Sequence, residues 1–115
     1  MAAGITTSTL GPPDYDKALA QFDAYVATLG DCGLSVIVLD PLEECPDAHF
    51  VEDTAVIVPE VAIITRPGAP PRRNEVLSIE SALQPFRSTV CIQAPGTLDG
   101  GDVLIIKKRV FIGLS

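Results

Sequence analysis

Acidic side chains at a glycine-rich bend are the residues of this sequence best suited to bind a cation. The segment 97–103 places Asp99 and Asp102 on either side of a glycine pair, and glycines allow a backbone to pass close to a ligand. Two carboxylates at such a bend suit a planar guanidinium, whose N–H donors form a fork that matches carboxylate geometry. A glycine-rich turn that binds nothing explains the segment equally well.

A second acidic pair, Glu52 and Asp53, precedes an apolar run. If this run is a strand, its alternation points the two carboxylates to opposite faces, and one of them could face a pocket. A solvated strand start is the more common origin of such a pair, so the pair by itself carries little weight.

Three arginines, Arg66, Arg72 and Arg73, surround the proline-rich segment 67–71. Proline restricts the backbone before folding, so this segment would hold the side chains at a low entropic cost. An anion clamp and a solvated loop both fit the pattern, and composition alone favours the solvated loop.

The cysteines and the single histidine form no obvious catalytic pair. None of Cys32, Cys45 and Cys91 has a basic neighbour of the kind that activates a thiolate, so we predict that none is a nucleophile. We expect Cys45 to be exposed and Cys91 to lie in a buried strand. No serine or cysteine is evidently paired with His49, which we interpret as a surface residue. An odd cysteine count without a CxxC pair indicates neither a disulfide framework nor a zinc site, and it predicts a reducing cytoplasm.

Composition limits the class of protein and of partner. The 115 residues fit one small domain. Fifteen acidic and eight basic residues give a net charge of −7, which disfavours nucleic acids and anionic membranes as partners. No apolar run approaches the roughly 20 residues that a membrane span needs. A small cationic molecule is the partner that this charge favours, although only weakly.

Hydrophobic periodicity and turn residues predict two helices and six strands. An amphipathic helix begins after Asp14, because apolar residues then recur at spacings of three and four. The β-branched run that follows suits a strand covered on both faces, and an acidic loop comes next. In chain order the predicted elements are helix 15–29, strand 35–39, loop 40–49, strands 54–58 and 61–65, helix 74–83, strand 89–93, and a hairpin of strands 103–106 and 110–112 turned by residues 107–109.

The element order contains a repeat. A β-β-α-β unit is present once in full, with partial copies before and after it at a spacing of about 40 residues. A repeat array cut within a unit exposes a sheet edge, which invites association. We therefore expect the chain to be one part of a larger protein or assembly.

Four motifs in series resemble the dimethylarginine dimethylaminohydrolases, which belong to the pentein or guanidino-group-modifying superfamily together with arginine deiminases and amidinotransferases. The motifs are Leu-Gly-Pro-Pro-Asp-Tyr at 10–15, Phe-Val-Glu-Asp-Thr-Ala-Val at 50–56, Ile-Thr-Arg-Pro-Gly-Ala-Pro at 64–70 and Gly-Thr-Leu-Asp-Gly-Gly-Asp-Val at 96–103. The resemblance implies a five-bladed α/β propeller of ββαβ units with its active site in the central channel. The expected fold is thus α/β, an incomplete pentein-type propeller in which residues 1–115 form a single partial domain.

The resemblance also implies roles for substrate-binding residues. Asp53 would hold the substrate guanidinium, assisted by the main chain of Glu52. Asp47, in the preceding loop, would contact the same end of the substrate. Arg72 would bind the substrate's α-carboxylate, and Leu10 would lie on a flexible loop that covers the site.

The catalytic part of the implied mechanism is incomplete in this sequence. In the family, a cysteine attacks the guanidinium carbon, an amine leaves and the covalent intermediate is hydrolysed to citrulline without a metal or another cofactor. Asp99 would orient the histidine that protonates the leaving amine, and Asp102 is a further candidate for the site. The family's histidine and cysteine lie C-terminal to the matched stretch, so we expect the 115 residues to grip substrate without turning it over.

Alternatives stay open at this point. Within the enzymes, an arginine deiminase-like or amidinotransferase-like activity fits the same residues, because the sequence does not separate methylated arginine from other guanidine compounds. Outside them, the chain could be a non-catalytic binding or assembly module in which half-propellers pair. Its partner would then be a second copy or a missing C-terminal half.

Overall fold

The computed structural model describes residues 4, 5, 9 and 11–114. Contacts divide the chain into two compact units, Met1–Asp47 and Ala48–Ser115. Among the described residues, no helix is both long enough and apolar enough to cross a bilayer.

The first unit contains one long helix, α1, which spans Tyr15–Asp31. It begins where predicted, because the side chain of Asp14 accepts a hydrogen bond from the backbone N–H of Lys17 at 3.0 Å and so satisfies one of the free donors of the first turn. The helix ends two residues beyond the predicted boundary. Its apolar stripe is only partly covered, since Leu19 and Phe22 are 47% and 45% exposed.

The strand predicted at 35–39 is wrong. Residues 34–40 form no strand, and Ile37 and Val38 are exposed. A β-branched apolar run becomes a strand only when a neighbour completes its hydrogen-bond ladder, and no described residue pairs with this run. The acidic loop that follows it, 40–49, is confirmed as irregular structure with turns.

The second unit is built on a three-stranded sheet with the order β1-β2-β3. Strand β1 (Ala55–Ile57) pairs antiparallel with β2 (Ala62–Ile64), and β2 pairs in parallel with β3 (Thr89–Cys91). Helix α2 (Val76–Leu83) makes the crossover between the two parallel strands. The predicted β-β-α-β order is therefore confirmed in a mixed α/β fold.

The core of this unit is small and lies under α2. Val56, Ala62 and Ile64 are buried, and α2 packs against the first two strands. Leu77 of α2 does not belong to this core, since its side chain is 62% exposed. Cys91 is also exposed rather than buried, because β3 lies at an edge of the sheet and has one neighbour instead of two.

A separate antiparallel hairpin, β4 (Val103–Ile106) and β5 (Arg109–Ile112), follows the sheet. Its turn is tighter than predicted, because Arg109 already belongs to β5 and only Lys107 and Lys108 connect the strands. Lys107 adopts a φ of 57°, the left-handed conformation that short hairpin turns require. The described residues form no closed barrel, and a propeller arrangement stays a prediction.

Candidate functional site

Three loops meet at one edge of the three-stranded sheet. One loop precedes β1, one follows β2 and one follows β3. Because β1 runs antiparallel to β2, its start lies beside the end of β2, and the parallel β3 ends at the same edge. The carboxyl edge of parallel strands is where α/β folds usually bind ligands.

The first loop is a short 3-10 helix, Val51–Asp53, locked by two buried threonines. The hydroxyl of Thr65 donates to the carbonyl oxygen of Asp53 at 2.6 Å, and the hydroxyl of Thr54 donates to the carbonyl oxygen of Val51 at 2.7 Å. Asp53 is thus positioned by this turn. Glu52 and Asp53 lie in a 3-10 helix and not on a strand, so the strand alternation expected for their side chains does not apply.

The carboxylate of Asp53 is anchored through both of its oxygens. Oδ1 accepts the backbone N–H of Gly101 at 3.0 Å, and Oδ2 accepts Nη1 of Arg72 at 2.7 Å. The side chain is still 20% exposed. Because each carboxylate oxygen has two lone pairs, this fixed carboxylate keeps capacity for another donor.

Arg72 links Asp53 to a second, more buried carboxylate. Its Nε and Nη2 donate to Oε2 of Glu75 at 3.1 and 2.8 Å, and Nη2 also reaches the carbonyl oxygen of Phe50 at 3.4 Å. The phenyl ring of Phe50 lies 5.8 Å from the guanidinium carbon, within the range of a cation–π contact.

Burial and pairing act in opposite directions on Arg72. Burial lowers the pKa of its guanidinium, but the hydrogen bonds and charges of Glu75 and Asp53 raise this pKa by more. The net shift is upward, so Arg72 remains charged.

The glycine pair allows two loops to approach each other closely. A Cβ at Gly100 would collide with the carbonyl oxygen of Glu52, and one at Gly101 would collide with the Asp53 carboxylate. The expectation from the sequence that these glycines let the chain pass close to a ligand stays a prediction. The partner that approaches is the Glu52-Asp53 turn.

Asp99 is fixed at the other end of this bend. Its Oδ2 accepts the backbone N–H of Gly68 at 3.0 Å, and the preceding residue, Leu98, donates its N–H to the carbonyl oxygen of Arg66 at 2.9 Å. Asp102 is exposed and lies at the base of the hairpin, where its carbonyl oxygen accepts the N–H of Gly113.

Two predicted site residues do not belong to the described part of the second unit. Leu10 is outside the described residues. Asp47 belongs to the first unit, where its side chain is 6% exposed and accepts the backbone N–H of Ile5 at 2.9 Å. Within the second unit, the structure joins the Glu52-Asp53 turn, Arg72 and the glycine pair.

Cys91 does not have the surroundings of an activated nucleophile, and Cys45 is not exposed. Cys45 is buried, so the prediction that it is exposed is wrong. Burial, followed by the hydrogen bond and charge of Glu80, raises the pKa of the Cys91 thiol, whereas activation requires a lowered one. Among the described residues, no group of three or more histidine, cysteine or acidic side chains is placed to hold a metal ion.

Reasoning from the sequence missed Glu75 and Phe50. Glu75 follows Arg72 by three residues, a spacing at which opposite charges meet in a helical segment, so the pair could have been found from the sequence. The contact of Phe50 depends on chain folding across 22 positions and leaves no local signal.

We predict that Gly100→Ala lowers the free energy of unfolding by about 2 kcal/mol, because the added methyl group forces the two loops apart. Urea denaturation measures this change. The control is Gly113→Ala, where the nearest atom to an added Cβ lies at an ordinary 3.6 Å. Equal stabilities for the two variants would contradict the close approach of the loops.

Similar sequences and similar solved structures agree on which proteins this chain resembles. No family model matches the sequence. The N(G),N(G)-dimethylarginine dimethylaminohydrolase of Pseudomonas aeruginosa is 44% identical over 114 residues, which cover 97% of this chain and 45% of that protein.

Two solved structures match equally well, each with a TM-score of 0.95 and 43% identity over 99% of this chain and 46% of theirs. One is a histidine-to-glycine variant of dimethylarginine dimethylaminohydrolase in an adduct with S-methyl-L-thiocitrulline. The other is a cysteine-to-serine variant of the Pseudomonas aeruginosa enzyme in complex with citrulline. The chain spans less than half the length of these relatives, and by sequence and fold it is related to the N-terminal portion of the dimethylarginine dimethylaminohydrolases.

Proposed function

We propose that this chain is the substrate-gripping portion of a hydrolase that acts on a guanidine compound, with methylated arginine as the first candidate. The observation that carries this proposal is the Asp53 carboxylate. It is held through both oxygens by Gly101 and Arg72, yet it stays partly exposed at the carboxyl edge of the sheet. A carboxylate fixed before binding loses little freedom when a ligand arrives.

A guanidinium is the ligand class that this geometry favours. Its donors lie in one plane and match the lone pairs of a carboxylate, and the net charge of −7 attracts a cation. The complex of one relative with citrulline and the adduct of another with S-methyl-L-thiocitrulline support a small ligand of this shape. We place dimethylarginine before arginine because the relatives are named for it, and deiminase-like or amidinotransferase-like reactions are the alternatives within the same chemistry.

In the proposed reaction, residues of this chain orient the substrate, and a thiolate attacks the guanidinium carbon. We assign the thiolate and the proton-delivering histidine to parts of the full-length relatives that these 115 residues do not match, since Cys45 is buried and the pKa of Cys91 is raised. We therefore propose that the chain binds substrate without turnover. We also propose that it needs no metal for this and that it works in a reducing cytoplasm.

Asp99 and Arg72 keep the roles that the resemblance implies as part of this proposal. Gly68 fixes one oxygen of Asp99, which suits a carboxylate that must orient a histidine. Arg72 already donates to Glu75 and Asp53, so a substrate carboxylate bound to Arg72 would share or replace one of these bonds. Asp47, Glu52, Leu10 and Asp102 remain predicted contacts.

We predict that Asp53→Asn lowers the affinity of the chain for L-arginine by at least about tenfold, because it removes the charge that faces the guanidinium. Isothermal titration calorimetry measures this affinity. Glu60→Gln is the control, since Glu60 is an exposed acid in the β1-β2 turn at the opposite end of the sheet. Unchanged binding by Asp53→Asn would contradict the proposal.

A second candidate function is an assembly module, and the β4-β5 hairpin favours it. Leu104 and Ile105 point to opposite faces of β4 and are 57% and 39% exposed. Phe111 and Ile112 repeat this pattern on β5. A two-stranded hairpin with both faces exposed is at best marginally stable, so we propose that a second copy of the chain, or the other half of a longer protein, covers it.

We predict that the isolated chain self-associates and that Phe111→Lys shifts it towards the monomer, because the lysine places a charge on the hairpin face. Light scattering across a range of protein concentrations measures the mass. Phe86→Lys is the control, since Phe86 is also exposed but lies outside the hairpin. A monomer at every concentration would contradict association.

A further inference from the structure

Glu75 has no part in the function proposed so far, although it is the most deeply buried acid of the site. Its side chain is 2% exposed, and both of its oxygens accept hydrogen bonds from Arg72. An unpaired carboxylate in such a position would carry a large desolvation cost. Arg72 therefore stabilises the charged form of Glu75, and Glu75 in turn stabilises the charged form of Arg72.

The charges of the cluster show what Glu75 contributes. Arg72 and Asp53 are joined by an ion pair at 2.7 Å, and this pair alone has no net charge. A guanidinium approaching Asp53 would meet the positive charge of Arg72 at short range, which opposes its binding. With Glu75 included, two carboxylates surround one guanidinium and the cluster carries one negative charge.

We propose that Glu75 is a positioning residue that sets the charge preference of the guanidinium site. It holds Arg72 through two of its nitrogens and offsets the arginine's charge, so that the charge of Asp53 remains available to a cationic ligand. This inference rests on the function proposed above and extends it to specificity. It concerns a residue that does not itself touch the substrate.

The consequence is discrimination between substrate and product. A guanidinium is a cation, whereas the ureido group of citrulline has nearly the same shape and no charge. A net negative cluster favours the first over the second, so it promotes binding of substrate and release of product. A neutral cluster of the same shape would bind the guanidinium compound and citrulline with more similar affinities.

The test compares the affinities of the chain for L-arginine and L-citrulline by calorimetry. These two ligands share their amino-acid end, so the ratio of their affinities isolates the charge of the side-chain end. Glu75→Gln retains the shape of the residue and an oxygen that accepts from Arg72. We expect it to lower the arginine-to-citrulline affinity ratio by about tenfold, mainly through weaker arginine binding.

A double variant separates charge from structure. Arg72→Gln combined with Glu75→Gln returns the cluster to one net negative charge, and it also avoids a buried arginine without its partner. We expect this variant to recover the wild-type ratio even if both affinities fall. Glu80→Gln is the matched control, because Glu80 lies on α2 and the described hydrogen bonds of its side chain are to Thr89 and Cys91.

The outcomes are distinguishable. An equal loss of both ligands in Glu75→Gln, or a double variant that does not recover the ratio, would overturn the role of Glu75 while leaving guanidinium binding in place. A wild-type chain that binds neither ligand would overturn the proposed function and this inference with it.

Discussion

An arginine side chain carries five N–H donors in one plane, and Arg72 divides them among groups from different parts of the second unit. It holds Glu75 at the start of α2, and it holds Asp53 and the carbonyl oxygen of Phe50 in the turn before β1. Asp53 in turn receives Gly101 from the bend after β3. The Arg72 guanidinium therefore joins two loops that are distant in sequence, and Asp53 joins the third to them.

This arrangement explains several local features as parts of one constraint. Glycines are needed at positions 100 and 101 because a Cβ at position 100 would collide with the backbone of the Glu52-Asp53 turn and a Cβ at position 101 would collide with the Asp53 carboxylate. The buried hydroxyl of Thr65 is needed because it fixes the backbone of Asp53. Each of these features costs little stability by itself. Together they hold the Asp53 carboxylate in a single orientation at a partly exposed edge of the sheet. That combination of rigidity and exposure is typical of binding sites built before the ligand arrives.

The regular part of the fold could be predicted from the sequence because its signals are local. Periodicity and capping located α1 and α2, and β-branched runs located the strands of the sheet and the hairpin. The run at 35–39 has the same local signal but forms no strand, since pairing depends on a neighbour that local residues do not specify. The exposures of Cys45 and Cys91 were wrong for the same reason, because burial is decided by which elements pack together.

The candidate site was predictable only in part. Two motifs identified Asp53 and the glycine bend, and Arg72 was identified by its place beside the proline-rich segment and by the family resemblance; the structure brings these three together. Their mutual contacts were not predictable, because bonds such as that of Gly101 to Asp53 span 48 positions. Glu75 was overlooked because no motif contains it, even though its spacing from Arg72 is a local signal.

The central claim is that a guanidinium ligand binds at the Asp53 carboxylate, and the backbone amide of Gly101 reports on that carboxylate directly because it donates to Oδ1. The measurement is a two-dimensional NMR titration of the labelled chain with L-arginine. The account predicts a saturable shift of the Gly101 amide that is absent in Asp53→Asn. A Gly101 amide that stays unmoved while resonances elsewhere shift would place the ligand at another site and contradict the account.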